Sequence, residues 1–111
     1  MILSVIIPVY NEEKTIIKVL EKVKNSSSNL FKYEIIVIDD GSNDESKSLL
    51  EKNKHLYDKL IINISNRGKG YSVKKGIENS SGTHIIFQDA DFEYDPADFK
   101  KFEKIFIDFN A

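Results

Sequence analysis

None of the 111 residues is a cysteine, which excludes a disulfide framework and a thiolate zinc site alike. That fits a reducing compartment, and a cytoplasmic location is expected. An excess of charge of one sign is missing too. Asp, Glu, Lys and Arg make up 31% of the chain, yet the net charge is only −2. No strong field argues for nucleic acid or a membrane surface as the partner. Long hydrophobic runs are absent. The apolar start, Met1 to Ile7, is stopped by Pro8; it is too short to span a bilayer and lacks the basic beginning of a signal peptide. The histidines, His55 and His84, have no partner at ligand spacing. His84 falls within a strand pattern and reads as a packed or edge histidine. Neither a Walker loop nor the Rossmann dinucleotide fingerprint occurs, and there is no internal repeat, linker or second domain.

Apolar residues make up 41% of the chain, enough for the core of one small domain. Strand and helix patterns alternate four times. Leu3 to Pro8 is continuously apolar and β-branched, as a strand covered on both faces should be. Asn11 is placed to cap a helix running to about Asn25, with Ile16, Leu20 and Val23 on one face. Asn25 to Asn29 reads as a loop and Tyr33 to Ile38 as the second strand. Ser42 with Glu45 has the spacing of a capping box for a second helix carrying Leu49 and Leu50. Lys59 to Ile64 is the third strand, Gly70 to Ser80 a third helix stopped by Gly82, and Thr83 to Gln88 the fourth strand. Asp95 and Pro96 look like the cap and first residue of a last helix, whose Phe99, Phe102, Phe106 and Phe109 form a core stripe. Such alternation predicts an α/β domain with right-handed crossovers and a parallel sheet.

Ligands of parallel α/β sheets bind beyond the carboxyl ends of the strands, and the polar residues gather there. Asp89-Ala90-Asp91 follows the fourth strand. Two carboxylates one residue apart can share a hard cation, and oxygen ligands suit magnesium or manganese (Mg2+ or Mn2+), which keep waters and hold substrate phosphates. An acidic loop before a helix is the plainer explanation, but it leaves Asp89 and Asp91 unaccounted for. Glu93 is in reach of such a cation or simply exposed at a helix entry. Asp39-Asp40-Gly41-Ser42 follows the second strand. A turn and a cap explain Gly41 and Ser42, not two adjacent repelling acids. Contact with a base or ribose is expected for at least one, Asp40 before Asp39. Pro8-Val9-Tyr10-Asn11-Glu12 offers an aromatic wall and an acid, or merely a strand end and a helix start. Asn66-Arg67-Gly68-Lys69-Gly70 puts backbone N–H groups, Arg67 and Lys69 where a phosphate could bind, and a solvated turn explains it as well.

In this order, Pro8 to Glu12, Asp39 to Ser42, Asn66 to Gly70 with Gly76, Ser81-Gly82 and Asp89-Ala90-Asp91, the motifs resemble those of family 2 glycosyltransferases with the GT-A fold. The stretch from Gln88 to Pro96 is most similar to the branch that passes a sugar to a dolichyl or undecaprenyl phosphate. The resemblance implies a Rossmann-like GT-A half with a parallel sheet of about four strands in the order 3-2-1-4. It implies a UDP- or GDP-sugar donor held by Pro8, Tyr10, Glu12, Asp40, Asp39 and Lys69. Asp89, Ala90 and Asp91 would face the ribose, diphosphate and metal, with Asp89 and Asp91 as the metal ligands. Ser72 stands where the family often has alanine. Members are usually about twice as long, so residues 1–111 are expected to be the nucleotide-sugar-binding half, with the acceptor half and any general base beyond Ala111. The acceptor would be a lipid phosphate or a glycan, and the parent protein would work at the inner face of a membrane. The open edge left by truncation is expected to cause self-association. Two other readings are a nucleotide-binding module without turnover and a phosphoacceptor receiver domain. The receiver would need acids after strand one and a phosphoacceptor after strand three, where Tyr10-Asn11-Glu12 and Ser65-Asn66 stand.

Overall fold

A computed structural model of the chain describes residues 1–26 and 31–91. The elements are β1 (Ile2–Val9), α1 (Ile16–Asn25), β2 (Lys32–Asp39), α2 (Ser46–Lys52), a 3-10 turn (Lys54–Leu56), β3 (Lys59–Ile62), α3 (Lys69–Glu78) and β4 (His84–Phe87). The strands form one parallel sheet in the order β3-β2-β1-β4. Among the described residues no helix is long and apolar enough to cross a membrane.

Alternation along β1 builds two cores, one on each sheet face. Leu3, Val5, Ile7 and Val9 pack with Ile16, Val19, Leu20 and Val23 of α1. Ile6 joins Ile36 and Ile38 on the opposite face. There α3 lies against the sheet through Gly76, where a Cβ would come within 2.5 Å of Ile6 Cγ2 and 2.9 Å of Ile38 Cδ1. Only a bare Cα lets the helix approach that closely. His84 is buried, its ring edge-on to Phe31 at 4.9 Å, as the packed reading requires.

Register places the functional tips side by side. Val9 pairs with Asp39 and Asp39 with Ile62, so β1, β2 and β3 end at one level. Phe87 pairs with Ile6, which brings Gln88 and the residues after it alongside the end of β1.

Helix starts differ from the sequence expectation. Asn11 does not cap α1, which begins at Ile16 after Thr15. Asn11 has φ +53°, a left-handed conformation that asparagine tolerates. Its Oδ1 accepts from the N–H groups of Asn43 (2.8 Å) and Asp44 (3.3 Å), tying one loop to the next. Ser42 and Glu45 do not form a capping box. The Ser42 hydroxyl accepts from Asn11 N–H, and α2 starts at Ser46, whose N–H donates to Asp44 Oδ1. In both places a contact between loops outcompetes the local cap. β3 stops at Ile62 rather than Ile64, because Asn63 turns its side chain to Asp40 and Ser72. Gly82 is not a helix stop: α3 ends at Glu78, and Gly82 N–H donates to Ser4 Oγ, against which a Cβ would collide. The expected helix from Pro96, its phenylalanine stripe, Glu93 and Asp95 lie outside the described residues.

At the amino ends of the strands, Glu34 is a clasp. Its Oε1 accepts from Ser4 Oγ (2.8 Å) and Ser81 N–H (2.9 Å), and its Oε2 from Ser81 Oγ (2.6 Å). Lys59 Nζ stands 3.6 Å from Oε2 and donates to Asn79 O. Burial alone would raise the Glu34 carboxyl; the Ser81 and Ser4 donors and Lys59 outweigh it and hold the pKa down at about 2.

Candidate active site

The four strand tips enclose a crevice of about 330 Å³. Pro8, Tyr10 and Glu12 line it from the end of β1, and Asp40 from the end of β2. Asn66, Gly68, Lys69 and Ser72 line it from the β3–α3 loop and α3. Asp89, Ala90 and Asp91 close it beyond β4. Asp39 is not among the lining residues. Its carboxylate is buried, Oδ2 accepts from Ser42 N–H at 3.3 Å, and Oδ1 has no hydrogen-bond partner among the described residues.

Asp40 is buried and organises the loop opposite. Its Oδ1 accepts from Asn63 Nδ2 (2.8 Å) and Arg67 N–H (2.8 Å), and its Oδ2 from Gly68 N–H (2.9 Å). Gly68, at φ +95°, gives the turn into α3. Gly41, at φ +70°, lies so close to the backbone of Ser65 and Asn66 that a Cβ would clash there at 2.5 and 2.6 Å. The second acid of the Asp39-Asp40 pair thus gathers three donors from a segment more than twenty residues away, which offsets the cost of burying its charge.

The acid pair beyond β4 is fixed from two sides. Thr15 Oγ1 donates to Ala90 O at 2.5 Å. Lys69 Nζ lies 2.5 Å from Asp89 Oδ1. Glu12 joins them across the crevice: burial first, then the Asp91 carboxylate, push its carboxyl above the ordinary range. Asp44 and Asp89 add to the repulsion, and only the Thr15 hydroxyl opposes it. Negative charge is therefore crowded at this end of the crevice.

That donor set would fit a hard divalent cation: every donor is a carboxylate oxygen, and the Asp91 and Asp89 carboxylates repel that of Glu12. Among the described residues no three His, Asp or Glu side chains converge to hold a metal unaided. Asp89 and Asp91 would be the protein ligands, with waters and phosphate oxygens completing the shell.

Asn63, Ser72 and Thr15 were not singled out by the sequence as site residues. Asn63 Nδ2 bridges Asp40 and the buried Ser72 hydroxyl (3.1 Å), and Thr15 positions Ala90. A polar residue straight after a strand of isoleucines was the available signal for Asn63. Nothing local marks Thr15 as a partner of Ala90.

A parallel sheet in this order with flanking helices, carrying an acid-rimmed crevice at its carboxyl end, has the GT-A fold. The chain belongs to glycosyl transferase family 2, whose model matches residues 4–111. It is 39% identical over 113 residues to human dolichyl-phosphate beta-glucosyltransferase, covering 92% of this chain and 35% of that protein. The chain thus spans about a third of that relative's length. S. aureus TarS (residues 1–349) in complex with UDP-GlcNAc superposes with a TM-score of 0.80 at 28% identity, over 98% of this chain and 32% of that one. Glucosyl-3-phosphoglycerate synthase from Mycobacterium tuberculosis, solved with Mn2+, UDP and glucosyl-3-phosphoglycerate, superposes with a TM-score of 0.66 at 25% identity, over 80% of this chain and 33% of that one.

Proposed function

We propose that this chain is the donor-binding half of an enzyme that moves a sugar, with inversion, from a UDP- or GDP-sugar to a polyprenyl phosphate in a metal-dependent reaction. Support comes from one observation above all. Tyr10, Glu12, Asp40, Lys69, Asp89 and Asp91, scattered over eighty residues of sequence, line a single crevice. The lipid acceptor is drawn from the dolichyl-phosphate relative and the metal from the Mn2+- and UDP-bound neighbour.

In this reading Tyr10, half-exposed at the crevice, forms the wall for the base. Asp40 Oδ2 has one lone-pair direction left after Gly68 N–H and takes a base or ribose donor. Glu12 accepts a ribose hydroxyl. Asp89 and Asp91, which line the crevice beyond β4, would hold the divalent cation that meets the donor diphosphate. A divalent cation, when bound, supplies charge neutralisation for the departing nucleoside diphosphate. A lipid phosphate is already ionised at neutral pH, so it attacks without a general base, and none is assigned to this chain. A glycan hydroxyl would need one.

The test is a thermal-shift panel of UDP, GDP and their sugars with and without Mn2+, since a ligand bound only by the folded state raises its melting temperature. One nucleotide should stabilise the chain in a Mn2+-dependent way, and replacing Asp89 and Asp91 together by Asn should abolish the shift. Unchanged affinity in that double variant would refute the assignment. A nucleotide-binding module without turnover is the second reading. Binding with no sugar transfer to a polyprenyl phosphate would favour it.

A further inference from the structure

Lys69 is the first residue of α3, and its side chain is 65% exposed, yet its ammonium lies 2.5 Å from Asp89 Oδ1. Asp89 is the more enclosed partner, its side chain 19% exposed. The contact joins the start of α3 to the segment after β4 across the crevice, between residues twenty positions apart. We infer that Lys69 is a positioning residue that stands in for the divalent cation at Asp89 in the free protein and moves to the donor diphosphate when metal and nucleotide bind, coupling the two binding events. The inference deepens the metal-dependent reading above and rests on it.

The physical reason is competition for one oxygen. A divalent cation binds a carboxylate oxygen at about 2.0–2.6 Å. With the ammonium at its present distance from the same atom, two like charges would stand within a few ångströms of each other. Lys69 must therefore leave Asp89 Oδ1 for a cation to take it. Its stem is flexible and largely in solvent, so the move needs no change in the sheet. Beside the crevice the backbone at Gly68 and Gly70 is unencumbered, since a Cβ at either would meet nothing within 4 Å. A metal ion alone has to break the Lys69–Asp89 pair. A nucleoside diphosphate offers the ammonium new phosphate oxygens in the same crevice, so metal and nucleotide favour each other's binding. By linkage each raises the other's affinity by the same factor.

The experiment titrates Mn2+ by electron paramagnetic resonance into the full chain, with and without saturating UDP or GDP, whichever binds. Wild type, Lys69→Met and Lys69→Arg are compared. Without nucleotide, Lys69→Met should bind Mn2+ at least five-fold more tightly than wild type. The factor by which nucleotide tightens Mn2+ binding should fall at least five-fold in the same variant. Lys69→Arg, which keeps a cation for Asp89, should follow wild type. Equal or weaker Mn2+ affinity in Lys69→Met without nucleotide overturns the inference, as does identical behaviour of the Met and Arg variants. Absence of Mn2+ binding by all three proteins under both conditions sinks the metal assignment itself, and the inference with it. Since Lys69 is exposed, superimposable melting curves for the three proteins are expected.

Discussion

The Thr15 hydroxyl donates to the carbonyl oxygen of Ala90 at 2.5 Å, across 75 positions of sequence. The same hydroxyl lies 3.4 Å from Glu12 Oε2. One side chain at the entrance of α1 therefore sets Ala90, the residue between Asp89 and Asp91, and lies beside a third acid. Thr15→Val keeps the shape and removes the donor. It should cost about 1 kcal/mol of stability and weaken Mn2+-dependent nucleotide binding several-fold, while Thr15→Ser retains both. Calorimetry on the two variants checks it, and full affinity in Thr15→Val would count against a positioning role.

Asp40 is expected to act on the β3–α3 loop before it acts on any ligand. Asp40→Asn replaces an acceptor of three N–H donors by a group with donors of its own. The loss should be about 1–3 kcal/mol. Hydrogen exchange should quicken at the amides of Arg67 and Gly68 while those of β1 stay protected. Unaltered exchange at these two amides would show that the loop holds itself.

Acid stability should depend on Glu34. Its folded pKa of about 2 lies below the reference 4.5, so its contribution is complete above pH 4.5 and disappears as pH falls towards 2. With a side chain only 14% exposed, the carboxylate should be worth about 2 kcal/mol at neutral pH. Glu34→Gln should therefore lower the urea midpoint at pH 7, and the gap to wild type should close as pH approaches 2. A gap that stays constant across that range would place the effect in packing rather than charge.

Self-association is the fourth expectation. Among the described residues no strand pairs with the outer side of β4, and Phe87 on that strand is 49% exposed. Open strand edges recruit partners. Sedimentation velocity over a range of concentrations should show dimers or larger species, reduced by Phe87→Lys. A monomer at every concentration would rule it out.

Much of the architecture was legible because it depends on local periodicity. The β-branched runs at Leu3–Pro8 and Tyr33–Ile38 and the helical spacing of Ile16, Leu20 and Val23 specify elements whatever surrounds them. Caps were misread at Asn11, Ser42 and Gly82 for the opposite reason. Each polar or small residue had a partner from another segment, the loop residues Asn43 and Asn11 and the β1 residue Ser4 in turn, and a tertiary hydrogen bond displaced the local one.

From the amino-acid order alone came the alternation of strand and helix, the parallel sheet and the set of acids at strand ends, since side-chain period and turn chemistry are short-range properties. Tertiary structure decided which of those acids share a space. It turned Asp39 inward to Ser42, gave Asp40 to the amides of Arg67 and Gly68, and set Lys69 against Asp89. Those pairings depend on strand register and on how closely α3 approaches the sheet at Gly76, distances that no stretch of sequence contains by itself.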